Sequence, residues 1–324
     1  MNIALFETLH AGGIISDTSF EKIKSKGQRP LLSVHDEVKA FLYLGVILLS
    51  GGLGTLVYKN IDTIGHQFVL LFLALVSVSC FIYNFKRRPS FTTGKVINTD
   101  SFSDYTLLLA CVTFISFVGY LQYQYQVFGN RYGAATFLPM IVLFVSAYYF
   151  DHLGILSMAI TSFAAWLGIT VTPLHLLQSS DFNNTRIIFT GLFIGGLLLV
   201  VGRATEIRNF KRHFAFTYYN FGIHVFLISC LSALFHFDSI ALAWFFVLLA
   251  GCYLFYRKSI LEHSFYFLLV VTLYAYIGAS YMVLQFLMRL SDGTGVIYLG
   301  FLYFIASAIG MVYFLVHTNK QFRK

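Results

Sequence analysis

Charged residues are scarce in this chain. They make up 11% of its 324 residues, whereas a soluble domain carries about 25%. Hydrophobic residues reach 58%, and a soluble fold of this length would have to leave much of that apolar surface in water. The composition therefore argues against a soluble enzyme or binding domain, and it indicates a protein whose helices cross a membrane.

Cysteine and proline are also scarce. The four cysteines all fall inside apolar runs and none has a Cys-x-x-Cys neighbour, so we expect packing thiols rather than disulfides or metal ligands. Among the four prolines only Pro139 lies inside an apolar run, where it is expected to kink its helix. The sequence lacks a Walker loop, HExxH, GxSxG and paired catalytic carboxylates. No catalytic residue, metal site or cofactor is therefore predicted.

Ten apolar runs have about the length that a membrane-spanning helix needs. They lie at about 40–58, 64–83, 105–123, 134–150, 153–172, 187–202, 215–235, 239–256, 265–287 and 295–316. The predicted fold class is all-α. It consists of a polytopic transmembrane bundle of about ten helices (40–316), preceded by a short cytoplasmic helical hairpin (1–39) and followed by a basic tail (317–324).

The positions of lysine and arginine orient this bundle. With the N-terminus in the cytoplasm, all of them fall in cytoplasmic segments except Lys59, Arg131, Arg186 and Arg289. Because cytoplasmic loops carry the excess of basic residues, the sequence predicts that both termini are cytoplasmic. The same rule accounts for the net charge of +8, so no nucleic-acid partner is predicted.

The polar stretch KNIDTIGHQ (59–67) separates the first two runs. On the predicted topology it is an outer turn, with Asn60 and Asp62 as turn residues and His66 in the first turn of the next span. Asp62 is also placed to cap that helix. Asp62 and His66 have a spacing that suits a metal or proton site, but two ligands do not make a site.

The first 26 residues predict two short helices. LFETLHAGG reads as a helix that ends at Gly12 and Gly13, and Thr18 with Glu21 forms a capping box for a second helix. Two interpretations remain open for this hairpin: it packs on itself or on the membrane surface, or it docks a cytoplasmic protein partner.

The stretch FLYLGVILLSGGLGTLVYKNIDTIGHQFVL (41–70) resembles the signature hairpin of domain-of-unknown-function family 2157, which comprises multi-pass membrane proteins of bacteria. The glycine-rich run and the turn with Asn and Asp match that family, whereas Ile61 stands where it usually has Trp. LFETLHAGGIISDTSFEKIKSK (5–26) resembles the cytoplasmic hairpin in front of its first span. The resemblance covers about the first 85 residues. It implies a helical protein of the bacterial inner membrane and no known reaction.

Two further groups of polar residues are candidate sites. Asn220 and His224 lie four residues apart in the middle of the seventh span, where they form either a polar intramembrane site or a hydrogen-bonded pair between helices. The connection after the sixth span reads as a short helical extension of that span. It carries a basic cluster that is a candidate contact for lipid headgroups or for a phosphate-bearing ligand: Arg203, Arg208, Lys211 and Arg212. No charged residue falls inside the predicted spans, which argues against a proton-coupled pump.

Two functions follow from these features. A transporter or permease-like protein for a small or lipophilic solute is favoured by the number of spans, by Pro139 and by the Asn220–His224 pair, and it predicts a cavity near His224. The alternative is a non-enzymatic accessory or scaffold protein that binds partners through the N-terminal hairpin. A membrane enzyme ranks last, because it needs polar side chains clustered at one membrane interface and the sequence offers only scattered histidines.

Overall fold

The computed structural model describes residues 3–28, 65–87, 91–96, 101–129, 132–171, 185–262, 264–290 and 294–322, with single residues between 41 and 59. Within these ranges the regular structure is entirely helical. The first predicted span (40–58) lies mostly outside the described residues, and Asn60 and Asp62 lie wholly outside them. The chain divides into two compact units, residues 1–66 and 67–324.

The first unit begins with the predicted hairpin. Helices α1 (Ile3–Ala11) and α2 (Asp17–Gln28) are joined at Gly13, whose φ of +69° suits glycine because it has no β-carbon. The N–H of Ile14 donates to the carbonyl of Leu9, which closes α1 in a Schellman motif. The end of α1 is therefore confirmed.

The start of α2 differs from the prediction. The helix begins at Asp17, so Thr18 and Glu21 lie within it rather than forming its cap. Ser16 precedes the helix, and its carbonyl accepts the N–H of Phe20. The helix therefore begins one residue before the predicted capping box. Across the hairpin, the ring of His10 lies 2.7 Å from the carboxylate of Asp17.

The second unit is a bundle of apolar helices. Their bounds are α3 (His66–Arg87), α4 (Ser101–Tyr125), α5 (Tyr132–Phe150), α6 (Leu153–Val171), α7 (Thr185–Arg208), α8 (Phe214–His236), a 3-10 turn (Asp238–Ile240), α9 (Ala241–Leu261), α10 (Phe265–Leu290) and α11 (Thr294–Phe322). Among the described residues, eight segments are long and apolar enough to span a membrane, and the apolar part of α6 is shorter. The all-α membrane bundle is confirmed, and each predicted span after the first coincides with a helix.

Three helices extend five or more residues past their predicted ends. The structure continues α7 to Arg208, α9 to Leu261 and α11 to Phe322, whereas the hydropathy pattern placed these ends six, five and six residues earlier. Arg203, Glu206 and Lys258 consequently lie on membrane-spanning helices. They lie beyond the predicted apolar runs 187–202 and 239–256, and these runs themselves carry no charged residue.

Helix α8 lies at the centre of the bundle. In its most apolar stretch of 18 residues, 56% of the residues are buried, against 6% in the corresponding stretch of α11. The buried hydrophobic residues of the bundle form two clusters, and α8 contributes residues to both. Its close neighbour is α7, because a β-carbon at Gly195 would lie 2.6 Å from the backbone nitrogen of Phe226. Gly191 and Gly195 are spaced four residues apart, a small-xxx-small pattern that predicts close helix packing, and the structure confirms it. Ala306 and Gly310 have the same spacing and carry the same prediction, but Gly310 has no described atom within 4 Å of such a carbon.

Candidate functional site

A groove of about 1130 Å³ lies between α7, α8 and α9. Apolar side chains form its walls, among them Leu199, Val200, Phe226, Val247 and Leu254. The lining extends along α9 from Val247 to Leu261, which at 1.5 Å per residue is roughly 21 Å. One leaflet contributes about half of the roughly 30 Å hydrocarbon core. The groove is therefore deep enough to hold a chain that reaches through one leaflet.

Charged side chains surround the end of the groove near Lys258, and the carboxylates there are paired. The Nζ atom of Lys258 lies 2.9 Å from Glu206 and 2.9 Å from Glu262, and 3.6 Å from the centroid of the Tyr219 ring. The Tyr219 hydroxyl donates to Glu206 over 2.7 Å, and Arg203 lies 3.3 Å from the same carboxylate. These contacts join the charged ends of the three helices.

Two arginines that line the groove take no part in the ion pairs just described. Arg212 and Arg257 both line it and are exposed, and neither side chain has an ion-pair partner among the residues that the structure describes. A guanidinium group offers a planar set of donors that matches a carboxylate or a phosphate. The groove thus combines an apolar channel with free cations at one end, which is the arrangement that an anionic amphiphile requires.

The four residues of the predicted headgroup cluster separate in the structure. Arg203 and Arg212 line the groove, whereas Arg208 is exposed and lies outside its lining. Lys211 is buried, with 1% of its side chain exposed, and its Nζ atom lies 3.0 Å from Asp151. A headgroup contact does not fit that position, because the ammonium group is already paired and shielded from the surface.

Asp151 is a polar residue that the sequence pattern did not single out as a site. Only 2% of its side chain is exposed, and the carboxylate lies 2.7 Å from Nε2 of His213 as well as 3.0 Å from Lys211. The backbone N–H of Val96 donates to it over 2.6 Å. The sequence places these residues in three separate connections between helices, so no local spacing signals that they meet.

Next to Asp151, His152 begins α6 with a side-chain cap. Its Nδ1 atom accepts the N–H of Ile155 over 3.2 Å. Burial lowers the pKa of His152, although Asp104 acts in the opposite direction. The neutral imidazole is therefore favoured, and only this form has a free lone pair for the cap.

Asn220 and His224 belong to one hydrogen-bond network, but they do not contact each other directly. The hydroxyl of Tyr266 donates to Oδ1 of Asn220 over 2.6 Å, so it accepts the Nε2–H of His224 over 3.1 Å. The Nδ1 atom of His224 then accepts the hydroxyl of Tyr274 over 2.9 Å. This network links α8 to α10, and neither Asn220 nor His224 lines the groove. The arrangement matches the interhelical alternative that the sequence left open.

The predicted outer turn is described only at its end. His66 is the first residue of α3 and follows Gly65, which has a φ of +86°. Within the described part of the chain, no group of three or more His, Cys, Asp or Glu side chains is arranged to hold a metal ion. The four cysteines are free thiols.

These helices define a multi-pass α-helical membrane protein. Residues 7–156 match the family described as "Predicted membrane protein (DUF2157)". The resemblance predicted from about the first 85 residues is therefore confirmed, and the match extends into α6. The groove lies entirely after the matched residues. No curated protein and no solved structure matches the chain.

Proposed function

We propose that this protein is a permease-like membrane protein that binds an anionic amphiphile in the groove between α7, α8 and α9. The supporting observation is that the apolar walls lead to Arg212 and Arg257, which have no ion-pair partner among the described residues. The apolar chain would lie along Leu199, Phe226 and Val247, and the anionic head at the two arginines. Phospholipids and free lipophilic anions share this chemistry.

The topology proposed with this function has ten spans, with both termini in the cytoplasm of a bacterium. The described inner connections support it, because residues 91–96, 151–152 and 209–213 meet at one end of the bundle. The charged end of the groove then faces the cytoplasm. Its ligand would enter from the inner leaflet, whose anionic lipids attract basic residues.

Binding is tested by native mass spectrometry of the purified protein with phosphatidylglycerol, and with phosphatidylcholine as the neutral comparison. The test variant is Arg212→Gln/Arg257→Gln. Each basic residue contributes about 1 kcal/mol to anionic lipid binding, so we expect roughly 30-fold weaker retention of phosphatidylglycerol, since 1.4 kcal/mol is tenfold. Wild type should prefer phosphatidylglycerol to phosphatidylcholine.

The matched control removes two exposed lysine or arginine charges outside the groove, Lys86→Gln/Arg208→Gln. It should retain phosphatidylglycerol as wild type does. Equal losses in both double variants would mean that only the general surface charge attracts the lipid, which contradicts a groove site. Glycerol phosphate, which has the head without the chain, should not compete; if it does, the ligand is a free anion.

Transport is a separate step and needs its own assay. In vesicles that contain the protein, the dithionite-accessible fraction of a fluorescent phosphatidylglycerol reports its movement between leaflets. Wild type should speed this movement and Arg212→Gln/Arg257→Gln should not. Binding without faster movement would reduce the proposal to a lipid-binding protein.

The accessory function has one supporting observation of its own. The α1–α2 hairpin leaves Ile14 74% exposed at its turn, where an apolar side chain suits a protein contact. We expect Ile14→Ser to abolish co-purification of a stoichiometric protein while membrane insertion persists, with Glu7→Gln as the exposed control. Retention of the same protein by Ile14→Ser would contradict a docking role for this turn.

A further inference from the structure

Three connections between helices meet at the charged end of the bundle. They are the 91–96 segment between α3 and α4, the 151–152 turn between α5 and α6, and the 209–213 segment between α7 and α8. The backbone N–H of Lys211 donates to the carbonyl of Thr93 over 2.8 Å, and the N–H of Val96 donates to the Asp151 carboxylate. The 91–96 segment is thus attached to both of the other connections.

The attachment is centred on a buried ion pair. The carboxylate of Asp151 accepts Lys211 and His213 on one oxygen and the Val96 N–H on the other, and Lys211 also donates to the carbonyl of Gly94 over 3.3 Å. Apart from these contacts the 91–96 segment is largely exposed. The ring of Phe91 adds a contact with Phe210, at 6.4 Å between the ring centroids. The polar contacts that attach this segment to the other two connections among the described residues therefore all involve Asp151 or Lys211.

The backbone is strained on both sides of this pair. Asp151 and Lys211 have φ values of +60° and +50°, in the left-handed region that residues with a β-carbon seldom occupy. Such conformations persist where the surrounding structure enforces them, and they are frequent at switch regions. Asp151 directly follows the last residue of α5, and the N–H of His152 donates to the carbonyl of Ala147 over 3.0 Å, so the end of that helix, together with the ion pair, sets the backbone of Asp151.

The same connection reaches the groove. Arg212 lines the groove, while its two neighbours, Lys211 and His213, face Asp151. A displacement of Arg212 towards an anionic ligand would therefore act directly on the residues that hold the 91–96 segment.

We propose that residues 91–96 form a closable strap over this end of the bundle, with the Asp151–Lys211 pair as its latch, and that a ligand at Arg212 releases the latch. The strap and latch stand on the contacts alone, whereas release by ligand rests on the proposed function. Opening leaves the cytoplasmic ends of α5 and α8 accessible to water.

Hydrogen exchange of the full-length protein in phosphatidylcholine nanodiscs tests the latch. The amides of Val96 and Lys211 report the strap directly, and the amide of Leu156, bonded to the carbonyl of His152, reports the first turn of the neighbouring α6. We expect the amides of Val96 and Lys211 to exchange faster than the amide of Leu156. Asp151→Asn should speed them further, on the order of 100-fold, because it leaves a buried charge uncompensated. Exchange at Val96 and Lys211 that is as slow as exchange at Leu156 would overturn the proposal.

Two further variants control for misfolding and for a general effect of removing a carboxylate. If Asp151→Asn does not fold, Asp151→Asn/Lys211→Met removes both buried charges and should fold with fast exchange at Val96; wild-type exchange there would mean that the pair is not a latch. Asp238→Asn removes an exposed carboxylate at the opposite end of α8 and should leave the strap unchanged. A strap that opens equally in Asp238→Asn would also refute the role of Asp151.

Release by ligand is measured by replacing phosphatidylcholine with phosphatidylglycerol in the nanodiscs. Exchange at Val96 and Lys211 should rise at least tenfold in wild type and stay constant in Arg212→Gln. If mass spectrometry detects bound phosphatidylglycerol but exchange does not change, release by ligand is wrong. If no phosphatidylglycerol binds, the proposed function fails instead, and the Asp151 variants alone decide whether the latch exists.

Discussion

Replacement of Gly195 by alanine tests the contact on which the groove walls depend. A β-carbon there would lie 2.6, 2.7 and 2.8 Å from the N, Cα and Cβ atoms of Phe226. Two of these atoms belong to the backbone of α8, so a side-chain rotation cannot relieve the clash. Helix α7 or α8 has to move, and both line the groove.

The magnitude follows from two opposing effects. Alanine is about 0.8–1.0 kcal/mol more favourable than glycine within a helix, whereas overpacking costs about 1–3 kcal/mol. Gly196 is a matched control in the same turn, because a β-carbon there has no described atom within 4 Å. We therefore expect Gly196→Ala to be neutral or stabilising by up to about 1 kcal/mol, and Gly195→Ala to be less stable than Gly196→Ala by about 1–3 kcal/mol.

Reversible unfolding in mixed micelles with increasing dodecyl sulfate measures this difference. Trp244 is a suitable reporter, because its ring on α9 lies 6.2 Å from that of Phe189 on α7. Circular dichroism should give the same midpoints if unfolding is a single transition. Equal stability of the two alanine variants would refute the close approach of α7 and α8 at Gly195.

Two more predictions concern polar groups. Tyr266→Phe breaks two hydrogen bonds of the Asn220–His224 network and Tyr274→Phe breaks one, so their unfolding free energies should fall by about 1.2 and 0.6 kcal/mol at roughly 0.6 kcal/mol per bond in a membrane; a larger loss in Tyr274→Phe would contradict the bridging hydroxyl. The pKa of His152 is lowered by burial, so its contribution to stability is present above about pH 6.5 and lost as the pH falls through that value towards the lower folded pKa. Between pH 7.5 and 5 the thermal midpoint of wild type should therefore drop more than that of His152→Asn, which keeps an acceptor and does not titrate; parallel curves would exclude His152.

The sequence predicted what depends on local pattern. Gly191 and Gly195 share one helix face at a spacing of four residues, and that face packs against α8. Ala306 and Gly310 have the same spacing, yet no described atom lies within 4 Å of a β-carbon built at Gly310. The pattern identifies a face that is able to pack closely, but the presence of a neighbour depends on the order of helices in the bundle, which hydropathy does not contain.

For the same reason, only part of the candidate site could be predicted from the sequence. The sequence predicts that the basic residues after the sixth predicted span meet lipid headgroups, and Arg203 and Arg212 line a groove of suitable chemistry. Its opposite wall comes from α9, where Lys258 pairs with Glu206 across 52 positions of the chain. The Asp151–Lys211 pair likewise joins residues 60 positions apart. Such pairs leave no periodic signal along the chain.

A count of basic residues therefore orients the bundle without identifying which charges are available. The rule that places lysine and arginine on the cytoplasmic side counts every cation equally. In the described structure Lys211 and Lys258 are bound to carboxylates, whereas Arg212 and Arg257 are exposed at the groove. Because a guanidinium group stays charged and binds oxyanions with a planar pair of donors, this division favours a phosphate or carboxylate head over a neutral one. Lys211 and Lys258 hold the ends of the helices together, and Arg212 and Arg257 remain for the proposed ligand.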